Sequence, residues 1–351
     1  MTQSSGGSGS RGGVAGDSAG PSARTRTLAA LPLLLPLATT GCFVSVGSPL
    51  GTLRGERSLE EKTIEGEGRA KILLMRITGA IDDEPQQHAF GLIEEESTVS
   101  RVRAELEKAK DDDRVKAVLL RIDSPGGGVT ASDEVYQEIV RFRRERKIPV
   151  VAALGDLAAS GGYYVACAAD RIVAHPTTVT GSIGVILVNL NIEGLLGKIG
   201  VRNETYKAGE HKDILSPLRA ATPEERRIVQ SILDSLHARF IAIVREGRPR
   251  LDVARLPELT DGRIFDATQA LGAGLVDEVG DLHAAIDAAK AAAHVDEARI
   301  VSYRRPDETR ENIYSAARGL PAQVNLLAVD TGLAGRSGPR FMYLWAPGLG
   351  E

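Results

Sequence analysis

The sequence predicts an α/β fold in which strands alternate with helices that cover them. Apolar runs of strand length occupy residues 71–81, 115–122 and 149–154, and the segments between them have the length and polarity of helices. Ser100 and Ser132 are the predicted N-caps of these two helices. Strict alternation of this kind is typical of strands joined by right-handed crossovers.

The second half of the chain continues the pattern. Residues 171–176 and 183–190 are further predicted strands. A long helix is predicted from Thr222 to about Glu246, because Thr222 precedes a proline and is followed by Glu225 at the position of a capping box. One face of this helix is expected to be buried on the core or on a neighbouring subunit. Its apolar positions recur every four residues: Ile228, Ile232, Leu236, Phe240 and Val244.

Composition excludes several classes of function. The chain of 351 residues carries a formal net charge of only -4 and has no long run of Lys or Arg, so nucleic acid is not an expected partner. Cys42 and Cys167 are the only cysteines, which are too few for a disulfide framework or a cysteine zinc site, and HExxH does not occur. We therefore expect neither a metal nor another cofactor.

The N-terminal segment has the layout of a secretory signal sequence. Residues 1–23 are rich in Gly, Ser and Ala, and Arg24 and Arg26 then precede the apolar run 28–38. Gly41 and Cys42 resemble the lipobox of bacterial lipoproteins, which predicts lipidation of Cys42 and removal of residues 1–41. The alternative is an uncleaved anchor over residues 28–46. Both place the remainder outside the cytoplasm, at the cell membrane.

The rest of the chain is predicted to consist of three segments. Residues 42–69 are polar and are predicted to form a tether, residues 70–290 form the catalytic body, and residues 291–351 are a C-terminal extension. The extension ends in the apolar run 341–345, which is predicted to be a strand. Such a strand could close this chain's own fold, pair with a neighbour's edge or rest in a hydrophobic groove.

Two glycine-rich segments follow predicted strands and carry groups that acyl transfer needs. Residues 123–128 contain Gly126, Gly127 and Gly128, whose backbone N–H groups could grip a carbonyl oxygen; a plain tight turn is the alternative. Ser160 stands at a predicted helix start, where the N–H of Gly161 could stabilise an oxyanion. Taken alone, this serine could equally be an ordinary N-cap.

A lysine could act as the base for such a serine. Its amine must be neutral, which requires a lysine pKa lowered from about 10.4 toward 7, at a cost of roughly 4 kcal/mol supplied by desolvation. Lys212 is the candidate, and in an extended backbone its neighbours His211 and Asp213 would point to the opposite face. The hydroxyl of Ser182 is the candidate to orient the amine. A solvated surface lysine is the alternative interpretation.

In this order, the motifs resemble those of the signal peptide peptidase SppA family of Ser/Lys proteases. SPGGG, ASGGYY, TGSIGV and HKDILSP begin at Ser124, Ala159, Thr180 and His211, and residues 261–280 resemble a later signature of the family. Asp123 stands where the family commonly has Asn, so that either the oxyanion geometry or only its supporting turn is affected.

The resemblance implies a Clp protease/crotonase-like spiral of repeated strand-strand-helix units. It makes Ser160 the nucleophile, Lys212 the base and Ser182 the residue that positions the lysine, with Gly161 and the glycines of SPGGG as oxyanion donors. It also implies a homo-oligomeric ring with dyads completed across subunit boundaries, acting on remnant signal peptides and other extended hydrophobic peptides. The alternatives are a catalytically inactive membrane scaffold and a crotonase-like enzyme that acts on acyl-CoA.

Overall fold

A computed structural model describes residues 58–88, 93–306, 312–314, 340–345 and 347. These residues belong to one compact unit. The predicted signal segment, Cys42 and most of the predicted tether lie outside the described residues. Within those ranges, none of the helices combines the length and the apolar character that crossing a membrane requires.

The described residues form strands and helices in alternation. The strands are β1 (Glu60–Glu65), β2 (Lys71–Ile81), β3 (Gln86–His88), β4 (Ile93–Glu95), β5 (Val115–Gly128), β6 (Val150–Ala159), β7 (Arg171–Ala174), β8 (Val179–Gly181), β9 (Ile186–Leu187), β10 (Ile264–Asp266), β11 (Glu278–Val279), β12 (Arg299–Arg304) and β13 (Phe341–Leu344). The helices are α1 (Thr98–Lys110), α2 (Val129–Arg146), α3 (Gly161–Ala166), α4 (Glu193–Lys198), α5 (Pro223–Gly247), α6 (Leu256–Leu259), α7 (Ala267–Gly272) and α8 (Leu282–Ala292).

Among these described elements, eleven strands form one sheet whose main path runs β1-β12-β2-β5-β6-β7-β11. From β12 to β11, neighbouring strands of this path are parallel, whereas β1 is antiparallel to β12.

Strands β5 and β6 each consist of two consecutive segments. Their first segments pair with each other up to Ile122 and Leu154, and the register then shifts. Beyond the shift, β5 pairs with the end of β2 and with β13, while β6 pairs with β8. Helix α2 follows the second segment of β5, and α3 follows that of β6. The α/β fold class is thus confirmed, in the expected form of repeated strand-strand-helix units.

Helices cover both faces of the sheet, as the apolar strands predict. Leu73 and Met75 of β2 point into the larger core beneath α1, α2 and α3, whereas Ile72 and Leu74 point into a second core beneath α8. This alternation follows the two-residue period of side chains along a strand. Because both faces are buried, the strands of the main sheet read as continuous apolar runs.

Several element boundaries differ from the sequence prediction. Strand β5 continues through the glycines, and Gly128 itself is the extended N-cap of α2, so the prediction of Ser132 as N-cap is wrong. Helix α1 is capped by Ser97 rather than Ser100. The predicted strand 183–190 is reduced to β9. Because a glycine has no side chain, it fits a strand ladder and a helix start equally well, and this is why the capping signal at Ser132 misplaces the start of α2.

Part of the segment predicted as a tether is a strand of the body. Strand β1 pairs with β12. The fully buried ammonium of Lys71, at the start of β2, also forms ion pairs of 2.6 Å with Glu61 of β1 and with Asp112. The buried cation has two carboxylate partners, as burial of a charge requires. The compact body therefore includes residues from Glu60 onward.

Candidate active site

Ser160 lies at the corner where β6 ends and α3 begins. It is 1% exposed, and its φ of 51° and ψ of -118° are a conformation that costs a residue with a side chain about 1–3 kcal/mol. Its N–H donates to the Gly181 carbonyl at 2.8 Å, and its own carbonyl accepts from the Tyr164 N–H at 2.8 Å. These bonds hold the strained corner, which has the predicted strand-turn-helix geometry.

Three of the four candidate oxyanion glycines converge beside this corner. A Cβ on Gly126 would lie 2.6 Å from the nitrogen of Gly161, and a Cβ on Gly161 would lie 3.1 Å from the nitrogen of Gly127. Gly126 also has a φ of +100°, which residues with a side chain rarely adopt. Gly128 has a different role, because it caps α2. Only glycines allow the two N–H-bearing backbones to approach this closely.

Asp123 and Ser124, which precede the glycines, form hydrogen bonds that stabilise the loop. Ser124 Oγ donates to the Gly79 carbonyl at 2.6 Å and accepts from the Gly126 N–H at 3.1 Å. Asp123 Oδ1 accepts from the Leu157 N–H at 3.2 Å, across the register shift between β5 and β6. Since an Asn carbonyl oxygen could accept the same bond, Asp123 concerns the supporting turn and not the oxyanion donors.

Ser182 lies beside Ser160 because the two strands that carry them are paired. Ala159 at the end of β6 is in register with Gly181 at the end of β8, and the two serines are the next residues along each chain segment. Ser182 also has a positive φ, of 49°, and its N–H donates to the Arg263 carbonyl at 2.7 Å. The structure therefore brings together two of the three predicted catalytic side chains.

Among the described residues of one chain, no hydrogen bond connects the Lys212 amine to Ser160 or Ser182. Lys212 lies in a run of turns at residues 208–215, so the argument from an extended backbone does not apply to it. Its side chain is exposed, and no described residue lies within hydrogen-bonding or ion-pairing distance of its amine. The adjacent Asp213 is instead paired with Lys207 and Arg219.

Comparison with known proteins identifies the family. A profile described as "Peptidase family S49" matches residues 142–296, which include Ser160, Ser182 and Lys212. A protein of Enterococcus faecium named "Putative signal peptide peptidase SppA" is 38% identical over 71% of this chain and 72% of its own length. This chain belongs to peptidase family S49, the SppA family. It is accordingly a serine-type peptidase by family.

Other relatives differ in length. This S49 peptidase is 40% identical to "Putative protease slr0021" of Synechocystis over 60% of the chain and 70% of that protein. It is 36% identical to "Protease 4" of Salmonella typhi over 63% of the chain but only 34% of that protein. Among solved structures, the membrane-bound stomatin-specific protease 1510-N matches 63% of this chain and 85% of its own, with a TM-score of 0.39 and 17% identity.

The chain segment that precedes Lys212 in this S49 peptidase carries exposed apolar side chains. Residues 189–210 are almost entirely exposed, and they include large apolar side chains. The predicted buried face of α5 is only partly buried within the chain, since Phe240 and Val244 lie in the core while Ile232 is 40% exposed. These apolar groups have no cover within the described ranges. They are Leu190, Ile192, Leu195, Ile199, Val201 and Tyr206, together with Ile232.

The C-terminal strand lies against the glycine segment. Strand β13 is antiparallel to the second segment of β5, with Tyr343 opposite Gly127, and it also pairs with β9. A Cβ on Gly126 would lie 1.9 Å from the Tyr343 carbonyl oxygen and 2.6 Å from the Gly161 nitrogen. The strand itself confirms the sequence prediction, but its position across the glycines of the S49 peptidase was not predicted.

An aromatic cluster receives the side chain of Tyr343. Its ring stacks on Tyr164 with centroids 5.1 Å apart and contacts Phe240 at 4.8 Å, and its hydroxyl donates to the Leu236 carbonyl at 2.8 Å. Burial, reinforced by a hydrogen bond to Asp133, raises the pKa of Tyr164, which therefore stays protonated as a donor. The cluster is a fully buried apolar contact between β13, α3 and α5.

Cys167 does not take part in the site. It is the C-cap of α3 and is buried, and burial raises the pKa of its thiol to about 12. A thiol that remains protonated is a poor nucleophile. Cys167 is therefore a small buried hydrophobic residue of the core.

Proposed function

We propose that this chain is a membrane-associated serine endopeptidase that degrades remnant signal peptides and other extended hydrophobic peptides through an acyl-enzyme. The observation that carries the proposal is the strained corner at Ser160, where the backbones of Gly161 and Gly127 converge. Acyl transfer needs a nucleophile beside preorganised donors for the oxyanion, and this corner supplies both kinds of group.

In the proposed mechanism the general base is Lys212 of an adjacent copy in a homo-oligomeric ring. Support comes from the exposure of Lys212 in the single chain and from the uncovered apolar residues of the preceding segment 189–210. A neighbouring copy that covers this surface would remove water from the amine and favour its neutral form. The hydroxyl of Ser182, which lies beside Ser160, would accept a hydrogen bond from the amine and orient it.

The chemical steps balance with these groups. Neutral Lys212 takes the proton of Ser160 Oγ as the oxygen attacks the scissile carbonyl, and the N–H groups of Gly161 and Gly127 stabilise the oxyanion. Collapse of the tetrahedral intermediate expels the amine of the leaving fragment, which takes the proton from the Lys212 ammonium. Water then gives a proton to Lys212 and attacks the acyl ester. Collapse of the second intermediate expels Ser160 Oγ, which takes that proton back from the Lys212 ammonium.

The proposed substrate class rests on the backbone of residues 126–128 and on the aromatic cluster around Tyr343. Residues 126–128 accept an antiparallel strand, as their pairing with β13 illustrates. An extended peptide would bind there by main-chain hydrogen bonds, with alternate side chains directed into pockets. The Tyr343 ring packs on Tyr164 and Phe240, and an apolar peptide side chain would take its place there when the peptide displaces β13. This arrangement favours hydrophobic peptides in an extended conformation.

Variants of the two proposed catalytic residues test the mechanism. Ser160→Ala and Lys212→Ala should each abolish cleavage of a fluorogenic hydrophobic peptide, and a fluorophosphonate probe should label the wild type but not Ser160→Ala. Lys290→Ala, which removes a lysine paired with Asp287 on α8, is the matched control and should remain active. Peptide cleavage by purified Ser160→Ala would refute the nucleophile.

Co-expression of the two inactive variants tests the shared site. If each site combines Ser160 of one copy with Lys212 of the next, random mixing restores about a quarter of the wild-type sites, because a head-to-tail ring joins different surfaces of successive copies. If both residues act within one chain, the mixture stays as inactive as its components. The assay therefore separates a shared dyad from an internal one.

A further inference from the structure

Asp213 is the residue next to the proposed base, yet its carboxylate is directed to other partners. Arg219 Nε and Nη2 donate to its two oxygens at 2.7 Å each, and Arg219 Nη2 also donates to the Asp213 carbonyl at 3.2 Å. Lys207 Nζ donates to Oδ1 at 2.5 Å. The hydrogen bonds from Arg219 and Lys207 hold the pKa of Asp213 well below its usual range, so the carboxylate remains charged and engaged.

Arg219 is in turn fixed to the start of α5. Its Nη1 donates to Glu225 Oε2 at 2.8 Å, and Glu225 is a buried member of the capping box with Thr222. The hydrogen bond from Arg219 lowers the pKa of Glu225 to about 2. A guanidinium that grips carboxylates on both sides has little freedom to move. Arg219 therefore links the turn that carries Lys212 to the first turn of a long helix.

We propose that Arg219 is a positioning residue that keeps the Asp213 carboxylate away from Lys212, so that the neighbouring amine can act as a neutral base. This inference rests on the proposed function of Lys212. It assigns a purpose to an ion cluster that the catalytic steps themselves do not use. Arg219 acts through Asp213 and contacts neither the nucleophile nor the peptide.

The charges around the turn support this role. Lys207 and Arg219 balance Asp213 and Glu225, so these four groups carry no net charge. Elsewhere on the turn and on the elements packed against it, Glu193 Oε2 accepts from the Ala220 N–H at 2.8 Å. On the proposed opposite side, the Arg263 that holds Ser182 is itself paired with Asp261 and Glu258. Glu210 and His211 are the other titratable residues of the turn segment 208–215 that carries Lys212.

Loss of Arg219 changes the protonation of Lys212 in a defined direction. A released Asp213 carboxylate within about 4–6 Å of the amine favours the charged ammonium by about one pH unit or more. Removal of the guanidinium charge acts in the same direction. The proton must then be removed at higher pH before Lys212 can act as a base. The acidic limb of the pH profile therefore moves to higher pH.

The test compares pH profiles of kcat/KM for peptide cleavage in the full-length assembled protein. Arg219→Gln should raise the midpoint of the acidic limb by about one unit, with activity approaching the wild-type plateau at alkaline pH. Asp213→Asn in the same chain should return the midpoint to within about 0.3 units of the wild type, since the carboxylate is gone. Arg227→Gln is the matched control, because Arg227 lies near the start of α5 and, among the described residues, pairs with exposed Glu224.

The outcomes separate this inference from the proposed function. If wild-type cleavage persists in Lys212→Ala, the proposed base is wrong and the role of Arg219 falls with it. If Lys212 is required but Arg219→Gln lowers kcat/KM equally at every pH, Arg219 only supports the fold and the inference is overturned. If Arg219→Gln does not fold, Arg219→Lys keeps the positive charge but loses the two-bond grip on Asp213 and must shift the limb in the same direction; an unmoved limb overturns the inference.

Discussion

Ser160 and Ser182 occupy equivalent positions on two paired strands: each follows the last paired residue of its strand, and each has a positive φ, of 51° and 49°. Residues with side chains rarely adopt a positive φ. The parallel ladder between β6 and β8 thus sets the separation of the two hydroxyl-bearing residues. Their relative position depends on strand register rather than on flexible side chains.

Ser182 variants test whether its hydroxyl or its backbone matters. Ser182→Ala and Ser182→Gly should both lower kcat by about 10- to 100-fold, since both remove the group proposed to orient Lys212. Glycine suits the positive φ better than alanine, so the two variants should differ in thermal stability. Equal activity losses with unequal melting temperatures would assign the effect to the hydroxyl. Activity that follows stability instead would contradict the proposed role.

Gly126→Ala tests the close approach beside the nucleophile corner. The added Cβ would lie 1.9 Å from the Tyr343 carbonyl oxygen and 2.6 Å from the Gly161 nitrogen, so the loop must shift away from Ser160. We expect a fall in kcat of at least about 100-fold, the magnitude typical of losing an oxyanion donor. Gly200→Ala shares a positive φ but meets nothing within 4 Å and should retain activity. Normal activity of Gly126→Ala would exclude the proposed oxyanion site.

Removal of the C-terminal strand should change substrate affinity. Strand β13 pairs with the backbone that the proposed peptide would use, so a stop codon in place of Arg340 should lower KM for a short peptide several-fold. The loss of buried Tyr343 should also cost about 3–5 kcal/mol of stability.

A milder variant separates these two effects of the C-terminal strand. Trp345→Pro removes the N–H that donates to the Pro125 carbonyl at 2.8 Å, together with the indole ring, and leaves Tyr343 in place. It should lower KM to a smaller extent, with little loss of stability. An unchanged KM in both variants would show that peptide and strand do not share this edge.

The ion pair between Arg248 and Asp277 predicts a pH-dependent stability. Two bonds of 2.7 Å join them, and the Arg248 side chain is only 7% exposed, so Asp277→Ala should cost about 3–5 kcal/mol by leaving a buried charge unpaired. Burial alone would raise the pKa of Asp277, but hydrogen bonds from Arg248 and from the Ile172 N–H lower it.

The sign of that pH dependence follows from the lowered pKa. The contribution of Asp277 is fully present above the unfolded-state value of about 3.9 and is lost as the pH falls toward the lower folded value. The difference in melting temperature between wild type and Asp277→Ala should therefore be constant from about pH 7 to 5 and narrow below about pH 4. Asp287→Ala, at an exposed pair, should show almost no difference at any pH.

The sequence predicted best those elements whose signals are local. Helix α5 begins at Pro223 as predicted, because Thr222 and Glu225 form the expected capping box. Strand β2 has the predicted bounds because its apolar run is buried on both faces. The corner at Ser160 was predicted from a strand followed by small residues, and the order of motifs gave it a role.

The features that were missed depend on contacts between distant segments. Gly128 both ends β5 and caps α2, and a glycine has no side-chain pattern from which this could be read. The partners of Asp213 lie six residues away on either side in irregular turns, where no periodicity applies. The position of β13 follows from register with a glycine segment far away in the sequence.

If the base comes from an adjacent copy, the specific activity of this peptidase depends on its own concentration. Under the proposed shared site, a chain that has not yet met its neighbours has a buried Ser160 without a base. Dilution below the dissociation constant of the assembly would then lower the rate per chain, and not only the total rate. A newly made chain would consequently be silent until enough copies had gathered.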